Sequence, residues 1–80
     1  MDAMTKKAVL HIAECAVYYC NIFSLKSAKG VIHGMITNYG EQGVCKENLE
    51  SIFDAAISAK RKDVFVDACD KSAADARWSK

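Results

Sequence analysis

A chain of 80 residues is long enough for one domain and buries only roughly 60–65% of its unfolded surface, which leaves a thin stability margin. With 51% apolar and 26% charged residues it is too apolar for the disordered class, and a formal net charge of +1 supplies no global field for nucleic acid or an acidic surface. The chain has no proline and a single cluster of turn residues, which argues against an all-β domain and suits uninterrupted helices.

The spacing predicts a first helix over about residues 2–23, starting at Asp2 or Thr5. Val9, Ile12, Ala13, Ala16, Cys20 and Phe23 recur at three and four along one face, and Leu10, Val17 and Tyr18 widen it. A helix apolar around most of its circumference is surrounded by neighbours or lies in a dimer interface. The stretch 8–25 is nearly continuous apolar sequence, but His11, Glu14 and Asn21 interrupt it. A charge near mid-bilayer costs about 2.5–3.5 kcal/mol on insertion scales, so a central core helix is expected rather than a membrane span.

Ser24 or Ser27 is expected to cap a second helix over about residues 25–39, because a serine hydroxyl accepts a bond from a free first-turn amide. Its inward face is Leu25, Ala28, Ile32, Met35, Ile36 and Tyr39. Gly30 and Gly34 lie four apart on this helix, and each costs roughly 0.5–1 kcal/mol against alanine. The functional reading is close contact with another helix, of this chain or of a second subunit; the plain alternative is tolerance.

Residues 38–43, with Gly40 and Gly43, are the one strong loop signal, and two glycines three apart supply left-handed positions that end a helix. A third helix follows over about residues 46–60, with Leu49, Ile52, Phe53, Ala56 and Ile57 as an amphipathic stripe and Val44 packing back ahead of it. Lys60, Arg61 and Lys62 place positive charge where a helix C-terminus favours it, and Asp63 is a candidate N-cap. A fourth helix is expected over about residues 64–78, with Phe65, Ala68, Cys69, Ser72 and Ala76 inward. No glycine or proline marks the break, so the last two helices are either separate or one bent helix. The expected fold is all-α: a compact bundle of three to four helices forming a single domain over residues 1–80.

The four cysteines are Cys15, Cys20, Cys45 and Cys69. The first residues lack the basic start, apolar run and cleavage site of a secretory signal, so a cytoplasmic setting and reduced, buried thiols are expected. His11 and Cys15 share a helix face at a spacing that zinc accepts. Tetrahedral zinc needs two further ligands from Cys45, Cys69 or His33, and no Cys-x-x-Cys pair exists, so no metal and no cofactor is expected. A catalytic thiol would need a histidine and an orienting group; pairs of this kind arise by chance in a chain of this composition, and no enzymatic activity is expected.

Gly43-Val44-Cys45-Lys46-Glu47-Asn48-Leu49-Glu50-Ser51-Ile52-Phe53 resembles the turn and recognition helix of the helix-turn-helix family, with Val44, Leu49, Ile52 and Phe53 at that family's apolar positions. The resemblance covers eleven residues and implies a small DNA-binding transcriptional regulator. It departs from the family at Tyr39, where a small residue is usual. The residues that would face the groove are Lys46, Glu47, Asn48, Glu50, Ser51 and Asp54; three are acidic and would meet phosphate repulsion, so nucleic acid is not the expected partner.

Two acidic stripes, Glu47, Glu50 and Asp54 and then Asp63, Asp67 and Asp70, suit either solubility or a basic partner, and Lys71 offsets Asp67 at i,i+4. Tyr18, Tyr19, Phe23 and Tyr39 exceed what a small bundle can bury, and tyrosine-rich exposed surface is favoured at protein interfaces. The expected function is therefore non-enzymatic contact with a protein partner or a homodimer, with Tyr18, Tyr19, Tyr39, Glu47, Glu50 and Asp54 as partner-binding residues. Stoichiometric inhibitors of host proteins fall in this size class, phage-encoded anti-defence proteins such as the anti-CRISPR proteins among them; the analogy is one of kind.

Overall fold

The computed structural model describes residues 2–44 and 47–78, and of Glu47 and Asn48 the backbone alone; Cys45 and Lys46 lie outside the described residues. Four helices follow in chain order: α1 (Ala3–Ile22), α2 (Leu25–Glu41), α3 (Glu47–Ser58) and α4 (Lys62–Trp78), with no strand among the described residues. The protein is an all-α globule of 32 × 25 × 20 Å.

Each helix end has a local cause. Asp2 caps α1, its carboxylate accepting from the Thr5 amide at 2.7 Å, and that bond holds the Asp2 carboxyl below its ordinary value. At the other end, Phe23 turns extended and its amide closes on the Tyr19 carbonyl at 2.8 Å. Ser24, not Ser27, caps α2, its hydroxyl accepting from the Ser27 amide at 3.3 Å.

The end of α2 is a complete Schellman arrangement. The Val44 amide donates to the Tyr39 carbonyl at 3.2 Å and the Gly43 amide to the Gly40 carbonyl at 3.1 Å. Gly43 takes the left-handed position at φ +86°, while Gly40 stays inside the last helical turn. Val44 is buried, so the turn carries its own apolar lock.

The α3–α4 break is real: residues 59–61 interrupt the helical path, and the two helices are separate. Two lysines from elsewhere secure it. Lys29 of α2 donates to the Ala59 carbonyl beyond the end of α3. Lys62 donates to the Cys20 carbonyl of α1 at 2.7 Å. Asp63 lies in the first turn of α4 instead of capping it, and its carboxylate binds the Arg61 guanidinium.

The core is the set of inward faces brought together by α1, which packs on α2, α3 and, most extensively, α4. Val9, Ile12, Ala13, Ala16 and Cys20 are buried as the three-four spacing requires, and Ala28, Ile32, Ile36, Leu49, Ile52, Ala56, Phe65, Cys69 and Ala76 join them. Phe65 is the largest fully buried side chain. Two residues expected inward are not: Phe23 is 47% and Ile57 61% exposed. Both sit at helix ends: Phe23 is the C-cap of α1 and Ile57 lies in the last turn of α3. Phe53 is half-buried, its ring stacked on His33 at 4.7 Å between centroids. No described helix is long and apolar enough to cross a membrane.

Candidate interaction surface

The C-terminal turn of α1 carries the largest concentration of exposed apolar groups. Tyr18 is 60% exposed, Ile22 52% and Phe23 47%. The rings are ordered against one another: Tyr19 stacks on Phe23 at 5.8 Å with planes 14° apart, and Tyr18 meets Tyr19 edge to face at 5.4 Å. Tyr19 is half-buried and packs on the core, so it anchors the two outer rings. Aromatic pairs in these geometries contribute about 0.5–1.5 kcal/mol beyond area burial, which favours this arrangement of the rings.

Tyr39 is not part of this patch. Its hydroxyl shares a hydrogen bond with Nδ1 of His11 at 2.6 Å, and the two rings meet edge to face at 6.0 Å. His11 and Tyr19 are eight residues apart on α1, roughly 12 Å along the axis. The two helices run antiparallel, so the end of α2 returns to the middle of α1, and the four aromatic residues fall into two groups.

Glu50 and Asp54 are exposed one turn apart on α3; the side chain of Glu47, the third member of that stripe, lies outside the described residues. Tyr18 and Tyr19 thus lie on α1 and the acidic pair on α3, two helices that share one core. On α4, Asp67 and Asp70 are exposed, and Asp63 is engaged by Arg61.

Gly30 and Gly34 are exposed, and a Cβ built on either meets nothing within 4 Å. Among the described residues nothing packs against them, so the close-contact expectation has no intramolecular partner there and contact with another chain or plain tolerance is left.

Sequence reasoning missed Ile22 as part of the exposed patch, and also Met4, Val64 and Trp78, which are 51%, 51% and 85% exposed. The spacing of Met4, Tyr18 and Ile22 was the available signal: all three lie opposite the Val9–Ile12–Ala16 face.

Cys15, Cys20 and Cys69 are free thiols. Burial pushes all three thiol pKa values up, that of Cys69 to about 12, with Cys20 and Asp70 adding to it. None is poised as a thiolate at neutral pH. Among the described residues no three His, Cys, Asp or Glu side chains converge on a metal position, and His11 turns to Tyr39. A cleft of about 280 Å³ between α1 and α4 is lined by Ala13, Glu14, Val17, Asp70, Ala73 and Arg77. It sets the Glu14 and Asp70 carboxylates and the Arg77 guanidinium beside alanine and valine side chains.

The fold thus defines a small four-helix globule with one preorganised aromatic corner. No family model matches the chain, and neither a curated protein nor a solved structure matches it.

Proposed function

We propose that the protein is a non-enzymatic binding protein that works by protein–protein contact, with the corner formed by Tyr18, Tyr19, Ile22 and Phe23 as its anchor. The observation that carries this reading is the exposure of three large apolar side chains around a stacked ring pair. Fully burying one such side chain contributes about 1.5–3 kcal/mol, and a rigid ring loses little entropy on binding. Tyr39, Glu50 and Asp54 are proposed as separate contacts on other faces, and Glu47 keeps its place in that acidic stripe from sequence alone. The specific form we favour is a stoichiometric inhibitor acting in the cytoplasm on a host protein, of the phage anti-defence kind. The test is capture of a partner by the wild type and by Tyr18→Ala/Phe23→Ala with the fold verified by circular dichroism. The double variant should bind at least tenfold more weakly; undiminished capture would reject the corner as the anchor.

A second reading is kept because α2, the Gly43 turn and α3 follow the order of a helix-turn-helix, with Val44, Leu49 and Ile52 buried as that family requires. Against it stands the solvent face of α3, where Glu50 and Asp54 are exposed and would face phosphate. Gel shifts on duplex DNA at two salt concentrations discriminate: sequence-dependent binding that falls steeply with salt would favour the regulator.

A further inference from the structure

Six residues of α1 are exposed in one line: Met4, Lys7, His11, Glu14, Tyr18 and Ile22. Their successive spacings are three, four, three, four and four, the recurrence of a seam that meets another helix. Along one side of the N-terminal half of this line runs a shallow, open depression lined by Ala3, Lys6, Lys7, Leu10, His11 and Glu14. The C-terminal half is a ridge made by Tyr18 and Ile22, 60% and 52% exposed. The two halves therefore differ in relief along a single helix.

We propose that this face binds a second copy of the same chain, α1 against α1 and antiparallel, about a two-fold axis passing between Ile12 and Ala13. Such an axis makes every pairing occur twice. Tyr18 of one copy stands opposite Lys7 of the other, its ring entering the hollow beneath an ammonium that favours an aromatic face. Glu14 stands opposite His11, whose ring is already oriented by the Tyr39 hydroxyl at Nδ1. Met4 stands opposite Asn21 and Ile22, closing both ends with apolar contact. A parallel arrangement would instead set Lys7 on Lys7 and Glu14 on Glu14, two like-charge contacts along the same seam. Charge complementarity thus selects both the occupant and its direction. A single helix pair roughly 30 Å long lies at the small end of protein interfaces, so the dimer is weak and reversible. The inference shares Tyr18 with the surface proposed above and needs no foreign partner.

Sedimentation equilibrium tests it first. The wild type should pass from monomer toward dimer between about 10 μM and 1 mM, the range of a small interface. Tyr18→Lys, which sets two like charges opposite Lys7 at both ends of the seam, should weaken the dimer at least tenfold while the monomer keeps its helical circular dichroism, because Tyr18 is exposed in the monomer. Register is read by cysteine cross-linking with a short bis-maleimide: Met4→Cys and Ile22→Cys chains should join when mixed, above the wild-type background, and neither should join itself. A wild type that stays monomeric at about 1 mM, or cross-linking of either variant with itself alone, overturns the proposal. A monomeric chain that still captures a foreign protein through Tyr18 overturns it while leaving the binding-protein reading intact.

Discussion

The ammonium of Lys62, the first residue of α4, donates to the backbone carbonyl of Cys20 at 2.7 Å, across 42 positions of sequence. The Cys20 carbonyl belongs to the last turn of α1, where helix carbonyls lack internal partners and the helix dipole favours a cation. One side chain therefore ties the last turn of α1 to the start of α4. Lys62→Met keeps the stem and removes the charge and the bond. It should destabilise the fold by about 1–2 kcal/mol, the range for a partly buried charge-assisted bond. Lys60→Met, at an exposed position of the same run, should stay within about 0.5 kcal/mol of wild type. Paired thermal melts check the contrast.

Phe65 and Phe53 separate depth from periodicity. Both lie on apolar stripes, yet Phe65 is fully buried and Phe53 is half-buried against His33. Phe65→Ala should cost about 3–5 kcal/mol, a large part of the margin of so small a domain. Phe53→Ala removes a ring with one face toward solvent and should cost less than half as much. Urea titrations of both variants give the ranking, and equal losses would mean that α3 sits deeper than its exposure indicates.

The legible part of this fold is local. The three-four spacing of Val9, Ile12, Ala13, Ala16 and Cys20 identifies the inner face of α1, because burial of a helix stripe follows its angular position. Ser24 and Gly43 act through their own backbone neighbours and were readable for that reason. The α3–α4 break was readable only as one of two alternatives, separate helices or one bent helix: the bonds of Lys29 and Lys62 that secure it are long-range and leave no mark in the residues between. The site was legible in composition and not in arrangement. Four aromatic residues were visible, but the antiparallel course of α1 and α2 sends Tyr39 to His11 and away from Tyr18. The exposure of Ile22 follows from its place opposite the buried face of α1, whereas that of Phe23, which continues the buried face at the end of the helix, is a tertiary fact.

The three glycines whose surroundings are described should respond with opposite signs. At Gly30 and Gly34 an added methyl meets open space, and alanine restricts the unfolded chain without strain in the folded one. Gly30→Ala and Gly34→Ala should each raise stability by about 0.5–1 kcal/mol. Gly43 holds φ +86° in the Schellman turn, and Gly43→Ala should lower stability by about 1–2 kcal/mol. Melts of the three single variants are sufficient. Destabilisation by alanine at Gly34 alone would indicate that another chain packs there in solution.

Asp2 makes the start of α1 sensitive to acid. Its carboxylate accepts from the Thr5 amide, which lowers its folded-state pKa below the ordinary 3.8. A group whose folded pKa is depressed contributes stability above its unfolded value and loses that contribution as pH falls through the folded one. Asp2→Ala should therefore melt below wild type at pH 7, and the gap should narrow as pH drops from 4 to 2.5, a window set around that ordinary value of 3.8. Asp2→Asn retains an acceptor for the cap without a titrating charge, so its own melting curve should lose this part of the pH dependence.

Cys69 gives the corresponding dependence at the alkaline end. Burial pushes its thiol up to about 12, because a thiolate there would lack the solvation that the unfolded chain provides at an ordinary value of 9.0. The sign is opposite to that of Asp2. Below pH 9.0 the thiol is protonated in both states and ionisation contributes nothing. Above that value the unfolded chain loses its proton while the folded chain retains it, so folding stability declines as pH rises toward about 12. Cys20 is also raised by burial and adds in the same direction. Urea midpoints of the wild type should fall between pH 8 and pH 10.5, and Cys69→Ala should flatten that fall while losing some stability at every pH from the packing removed. Reagent kinetics give an independent reading. Of the three described thiols Cys15 is half-buried and should react first with a maleimide in the native state, whereas Cys69 should react only at the rate of global unfolding. A Cys69 that labels as fast as Cys15 at neutral pH would place α4 in a looser association with α1 than their extensive packing requires.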